Sequence, residues 1–249
     1  MKEIHEMLTL PDPNNTLYRS LTTLTVRFLL LTMLFSSLIG CGGKAISESN
    51  GKDNELNSAL FLAASSGDRD LVKSLIDAGA SVNSRDEEGE TPLMYAAVEG
   101  HTDIVLLLVD KGAEVGALSS NNETALGRAA ARGKTQTVLT LLEKGADVEK
   151  STDGDGTPLM DAASGGFTDT VRILLTHGAN VNARNVNGDA PLAYAATRGA
   201  PLEIVRELLA AGADASANNN YGETALILAS RNGHAEIAEF LKQYRGKNR

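Results

Sequence analysis

The chain has 249 residues, with 23 basic against 32 acidic side chains, a net charge of −9, no tryptophan and a single cysteine. An acid excess without basic stripes excludes a nucleic-acid binder that works by neutralising phosphates with lysine and arginine. One cysteine excludes an intrachain disulfide.

The first element is an apolar run of twelve, residues 28–39, directly after Arg27. As a helix it would span only about 18 Å, short of a bilayer core of about 30 Å. It has the length of a signal-peptide apolar region. The run ends in Leu38-Ile39-Gly40-Cys41, which resembles the bacterial lipobox. That resemblance implies cleavage after Gly40, lipid on Cys41 and a mature chain of 209 residues. Residue 42 is Gly rather than the Asp that holds enterobacterial lipoproteins in the inner membrane, so the resemblance implies an outer-membrane anchor facing the periplasm. Residues 1–40 are expected to be the signal, and 1–25 read as a mis-set start. They are long, contain Pro11 and Pro13, and balance Lys2 and Arg19 with Glu3, Glu6 and Asp12; Val26 would then initiate. Residues 41–52, rich in Gly and Ser, read as a flexible tether with a root-mean-square reach of about 20 Å.

From there the sequence repeats itself. SALFLAA at 58, TPLMYAA at 91, TALGRAA at 124, TPLMDAA at 157, APLAYAA at 190 and TALILAS at 224 are spaced 33, 33, 33, 33 and 34 apart. A second marker keeps the same register: GASVN at 79, GAEVG at 112, GADVE at 145, GANVN at 178 and GADAS at 212. A period in this range means a solenoid, because one unit cannot bury its apolar face alone. The periods run approximately 53–85, 86–118, 119–151, 152–184, 185–218 and 219–249, within one domain spanning 53–249.

Each period predicts two short helices and a hairpin. In the second, Thr91 caps a helix that begins with Pro92 and stops near Gly100. The next helix carries Ile104, Val105, Leu107 and Leu108 at helical spacing and closes at Gly112, where glycine permits the left-handed conformation. Turn-rich stretches such as 85–89 join one period to the next. The fifth holds one extra residue at Gly199-Ala200-Pro201.

This pattern resembles the ankyrin repeat, closely at 91–115 and 157–182 and more loosely over the rest of 53–249. The resemblance implies an all-α solenoid of about six helix-turn-helix units with hairpin loops. It departs from the family at the His of T-P-L-H. Phe61, Met94, Gly127, Met160, Ala193 and Ile227 stand there instead. In the family that imidazole links neighbouring repeats, so apolar packing is expected to serve here.

Nothing in the sequence points to chemistry. His101 and His234 follow a Gly at a second-helix start, and His177 sits at a helix end where a cation suits the dipole. Asp153-Gly154-Asp155-Gly156 lacks the further ligands and closing Glu of a calcium loop. No cofactor, metal or catalytic residue is expected. The resemblance implies instead a protein partner, bound on a concave face lined by hairpin tips and first helices. The matching positions are Glu87, Glu88, Glu90, Tyr95, Glu99, Arg128, Arg132, Asp153, Asp161, Tyr194, Arg198, Tyr221 and Arg231. None of these is demanded by the repeat. Tyr95 and Tyr194 in particular are expected to gain little from the fold and much from an interface. The expected function is a membrane-tethered, protein-binding scaffold of the bacterial envelope, with a periplasmic or envelope protein as partner and no catalysis. The alternatives are a toxin-neutralising immunity-type binder and a glycan- or cell-wall-binding lipoprotein.

Overall fold

The computed structural model describes residues 47–150 and 156–247. The chain divides into two compact units, 1–59 and 60–249. Cys41 and Asp153 lie outside the described residues. Twelve helices are present among the described residues: α1 Ser47–Ser66, α2 Arg69–Asp77, α3 Pro92–Glu99, α4 Thr102–Asp110, α5 Ala125–Ala131, α6 Thr135–Glu143, α7 Pro158–Gly165, α8 Thr168–Thr176, α9 Pro191–Arg198, α10 Leu202–Ala210, α11 Ala225–Arg231 and α12 Ala235–Lys247. Helix α1 takes in residues 47–52, which read from the sequence as tether.

The local chemistry follows the repeat. The Thr91 hydroxyl accepts from the Met94 amide, and Thr124, Thr157 and Thr224 do the same for Gly127, Met160 and Ile227. Ala190 cannot, so α9 starts without a side-chain cap. Gly112 closes α4 at φ 93°, a conformation that costs other residues about 1–2 kcal/mol. The insertion at 199–201 is absorbed before α10, which stays nine residues long with Pro201 at its N-cap. No strand forms among the described residues; Asn218 and Thr224 make one isolated antiparallel bridge.

Two layers stack along the second unit. First helices α3, α5, α7, α9 and α11 each touch the next, second helices α2 to α12 do likewise, and each pair packs internally. The core lies between the layers. Leu93, Leu126, Leu159 and Leu192 are buried from one side, and Ile104, Leu108, Val138, Leu141, Val171, Leu174, Val205 and Leu208 from the other. Burial of each such leucine contributes about 1.5–3 kcal/mol. Hydroxyls find each other across repeats, half-buried Thr102 with buried Thr137 at 2.8 Å and half-buried Thr135 with buried Thr170 at 2.9 Å.

Apolar packing fills the middle of the column where the family has its His, with Met94 and Met160 fully buried, while Ile227 near the end of the stack is 46% exposed. This packing is not the only tie, which corrects the expectation. Asn83 reads both backbone groups of the next repeat, donating to the Gly112 carbonyl at 3.0 Å and accepting from the Glu114 amide at 2.9 Å. Asn182 repeats this on Gly212 and Asp214. The His101 imidazole bonds the Ser65 carbonyl at 2.9 Å, and His234 bonds that of Thr197 at 3.1 Å. At the starts of the second helices His101, Lys134, Phe167, Pro201 and His234 each lie against a glycine of the preceding repeat, and the rings of His101, Phe167 and His234 leave Gly67, Gly133 and Gly199 no room for a Cβ. Gly133 is the tightest case: the Phe167 ring lies against it, and its φ is 61°.

Candidate partner-binding face

The hairpins begin at Asp86, Ser119, Asn185 and Asn219, whose side chains tie down their own turn. The Asp86 carboxylate accepts from the Glu90 amide at 2.8 Å, the Ser119 hydroxyl from the Glu123 amide at 3.1 Å, and the Asn219 carbonyl from the Glu223 amide at 2.9 Å. Neighbouring hairpins are also linked: the Ser120 amide donates to the Glu88 carbonyl, and the Asn220 amide to that of Asn187, both at 2.9 Å. Arg85 spans two of them, donating to the carbonyls of Gly89 and Leu118, and Arg184 bonds those of Gly188 and Asn218. The result is a row of fixed tips beside the first helices.

On that row Tyr95 and Tyr194 are half-buried rather than free, which corrects the expectation that they gain little from the fold. The Tyr95 hydroxyl donates to Asp86 at 2.8 Å, and its ring tilts against Phe61 with centroids 5.5 Å apart. Asn185 donates to the Tyr194 hydroxyl at 3.0 Å. The two bonds hold equivalent positions, each reaching nine residues back to the start of the preceding hairpin, but Tyr95 donates and Tyr194 accepts. Burial, the bond to Asp86 and the charges of Asp86, Glu90 and Glu88 together hold the Tyr95 proton well above the ordinary phenol range.

The sign of that shift makes a prediction. A raised folded-state pKa contributes stability that is full below the unfolded value, near 10, and is lost as pH rises through the folded value. Tyr95→Phe is therefore expected to cost about 1 kcal/mol at neutral pH and to flatten the loss of stability above pH 10. Urea midpoints for both proteins between pH 7 and 11 check this; parallel curves would contradict the bond.

Glu90 and Arg128, expected as open surface, pair with each other across two repeats, and Arg128 lies 3.7 Å from Glu123. Both side chains are less than one-fifth exposed, because the pair sits between a hairpin and the next first helix. Arg231 pairs with Glu223 of its own repeat and is more exposed. Asp161 is half-buried and engaged. Glu87, Glu88, Glu99, Arg132 and Arg198 are exposed, and Tyr221 is 73% exposed at a hairpin tip.

Sequence reasoning missed Val186, 65% exposed at the next tip, and Leu62, 64% exposed on α1. The signal for Val186 was an apolar residue at a hairpin position held elsewhere by Glu87, Ser120, Asp153 and Asn220. Leu62 hid inside an ordinary apolar repeat string. On the second-helix side Asp77 pairs with Lys111 and Asp110 with Lys144 at exposed positions that contribute little, and Arg172 gathers Asp169, Glu203 and Glu207. Among the described residues no cluster of His, Cys, Asp and Glu is arranged to hold a metal ion.

Stacked helix pairs, a 33-residue period and a row of linked hairpins define a helical repeat solenoid. The ankyrin-repeat family model matches in three copies, over residues 31–119, 112–185 and 183–248. The chain belongs to the ankyrin-repeat family. Among solved structures it is similar to a chain of the complex between the predatory endopeptidase Bd0816 of Bdellovibrio bacteriovorus and the immunity protein Bd3460. That likeness has 32% identity and a TM-score of 0.69, covering 74% of this chain and 97% of that one. It is also similar to EF0377, an ankyrin repeat protein, at 32% identity and a TM-score of 0.67, covering 75% of this chain and 98% of that one. No curated protein matches the sequence.

Proposed function

We propose that this protein is a lipid-anchored, non-catalytic binder that holds a protein partner in the bacterial envelope on its hairpin and first-helix face. The observation that carries this reading is the pair of exposed tips at Val186 and Tyr221. They belong to adjacent hairpins locked by Asn220, which donates from its amide to the Asn187 carbonyl and from its side chain to that of Val186 at 3.0 Å. Large side chains presented on a fixed backbone lose little entropy when covered, and the fold has no use for them. The ankyrin architecture supports a protein as the ligand. Likeness to a chain of an endopeptidase–immunity complex favours a particular form, in which the partner is a hydrolytic enzyme or toxin that binding holds inactive. The lipobox residues ending at Cys41 support the anchor.

One experiment addresses face and anchor together. Protein is purified from detergent-solubilised membranes as wild type, Tyr221→Ala and Cys41→Ser, and co-purifying proteins are identified by mass spectrometry. Tyr221→Ala is expected to keep its membrane fraction and lose most of the partner, a weakening of about 1–3 kcal/mol. Cys41→Ser is expected to lose lipid labelling and remain unprocessed. Unchanged capture by Tyr221→Ala would move the binding face elsewhere, and a processed, membrane-bound Cys41→Ser would sink the lipid anchor.

A further inference from the structure

One end of the first-helix face is apolar and bordered by carboxylates. Leu62 holds the register position that Tyr95 holds one repeat later, and it is 64% exposed. Next to it, Phe61 lays its ring on Tyr95. Glu87 and Glu88 at the adjoining hairpin tip and Glu99 at the end of α3 are exposed and make no ion pair among the described residues. Two cations near the hairpin tip are already engaged, while Lys134 lies against Gly100 beside Glu99 and stays clear of Glu87 and Glu88 in sequence register. Arg128 is taken by Glu90, and Arg85 is held on the backbone carbonyls of Gly89 and Leu118. The negative field extends to the apolar step, since the charges of Asp86, Glu90 and Glu88 all act on the Tyr95 hydroxyl.

We propose that this end of the face docks a protein segment in which an apolar side chain is flanked by lysine or arginine. The apolar group covers Leu62 and Phe61, and the cations meet Glu87, Glu88 and Glu99. An apolar partner without cations would strip water from these carboxylates without compensation, and an acidic one would be repelled. A basic segment gains on both counts, and its approach is accelerated by the field at low salt. This inference rests on the partner-binding reading above and adds the chemistry of the partner to it.

The test uses the full chain in detergent and two fluorescent eight-residue peptides, one alternating Leu with Lys and one alternating Leu with Glu. Anisotropy is measured at low and at physiological salt. The Leu/Lys peptide is expected to bind and the Leu/Glu peptide not to. Glu87→Gln/Glu88→Gln is expected to weaken binding about tenfold, and Leu62→Ser about fivefold. The pair Glu143→Gln/Glu236→Gln removes the same charge from exposed second-helix positions and is expected to change binding less than about twofold. Equal losses from the two pairs, equal binding of both peptides, or no binding of the Leu/Lys peptide would each overturn the proposal. The broader reading fails separately. A native partner whose capture is lost in Tyr221→Ala but untouched by Glu87→Gln/Glu88→Gln contradicts the basic-segment docking alone.

Discussion

Leu107→Pro is expected to lower the unfolding free energy by about 3 kcal/mol or more. Helix α4 has nine residues, hence little more than two turns, and Leu107 sits in its second half. Proline there removes an amide donor and pushes its ring against the carbonyl four residues back. The Leu107 carbonyl also accepts from the Lys111 amide at 3.0 Å, so the closing turn is disturbed as well. Ile104, Val105 and Leu108, fully buried on either side of the break, lose their common register. Because α4 packs on both α2 and α6, the loss reaches two inter-repeat interfaces, and stability in a solenoid resides in such nearest-neighbour contacts. Urea unfolding followed by far-ultraviolet circular dichroism measures it. Leu106→Ala, at a side chain 37% exposed in the same helix, is expected to cost less than about 1 kcal/mol. The complementary change is deletion of residues 119–151, one full period, which is expected to leave a shorter but folded solenoid. That product places Asp161 where Arg128 had met Glu90, so its midpoint falls through like-charge repulsion. An unfolded deletion product would contradict the modular account.

Removing one member of the Glu90–Arg128 pair is the second large effect. Arg128→Ala leaves Glu90, with its side chain 14% exposed, facing Asp86 and Glu123 without its cation. Losing one partner of a fully buried pair costs about 3–5 kcal/mol. The remaining exposure lets water screen part of that, and about 2 kcal/mol is expected. Replacing both, as Glu90→Gln/Arg128→Met, is expected to recover most of the loss, because no charge is then left unpaired. A double-mutant cycle in urea reads the coupling directly. Additive single losses would mean that the two side chains act independently and that Arg128 is available to a partner after all.

The architecture was legible in the sequence because its determinants are local and repeated. Thr91 before Pro92, the paired alanines and Gly112 define helix starts, close approaches and stops within one period, and six copies confirm one another. The side-chain ties were less visible, because each joins residues whose meeting depends on how one repeat is set against the next. Tyr95 looked like a spare surface ring; its hydroxyl partner Asp86 lies in the preceding hairpin and reads from the sequence as a simple turn residue. Glu90 and Arg128 sit 38 positions apart in the sequence, and each alone resembles a solvated charge. The loss of the family's histidine suggested that apolar packing would link the repeats in its place. Asn83, Asn182, His101 and His234 supply that link from other columns, where their residue types are equally common in caps and turns. Exposure was the hardest property to read. Leu62 and Val186 have the composition of core residues, and only their positions in the stack, one at a hairpin tip and one on a first helix, leave them uncovered.

In the proposed function hairpin tips and first helices, not the second-helix side, hold the protein partner. Site-specific photocrosslinking in living cells tests it most directly. A photoreactive residue is placed at Tyr221 or Arg198 on the proposed face, and at Lys73 or Glu143 on the second helices, all four exposed. One discrete adduct, the same partner by mass spectrometry, is expected from Tyr221 and Arg198 and none from Lys73 or Glu143. Adducts from the second-helix positions alone, or no protein adduct from any of the four, would contradict this placement.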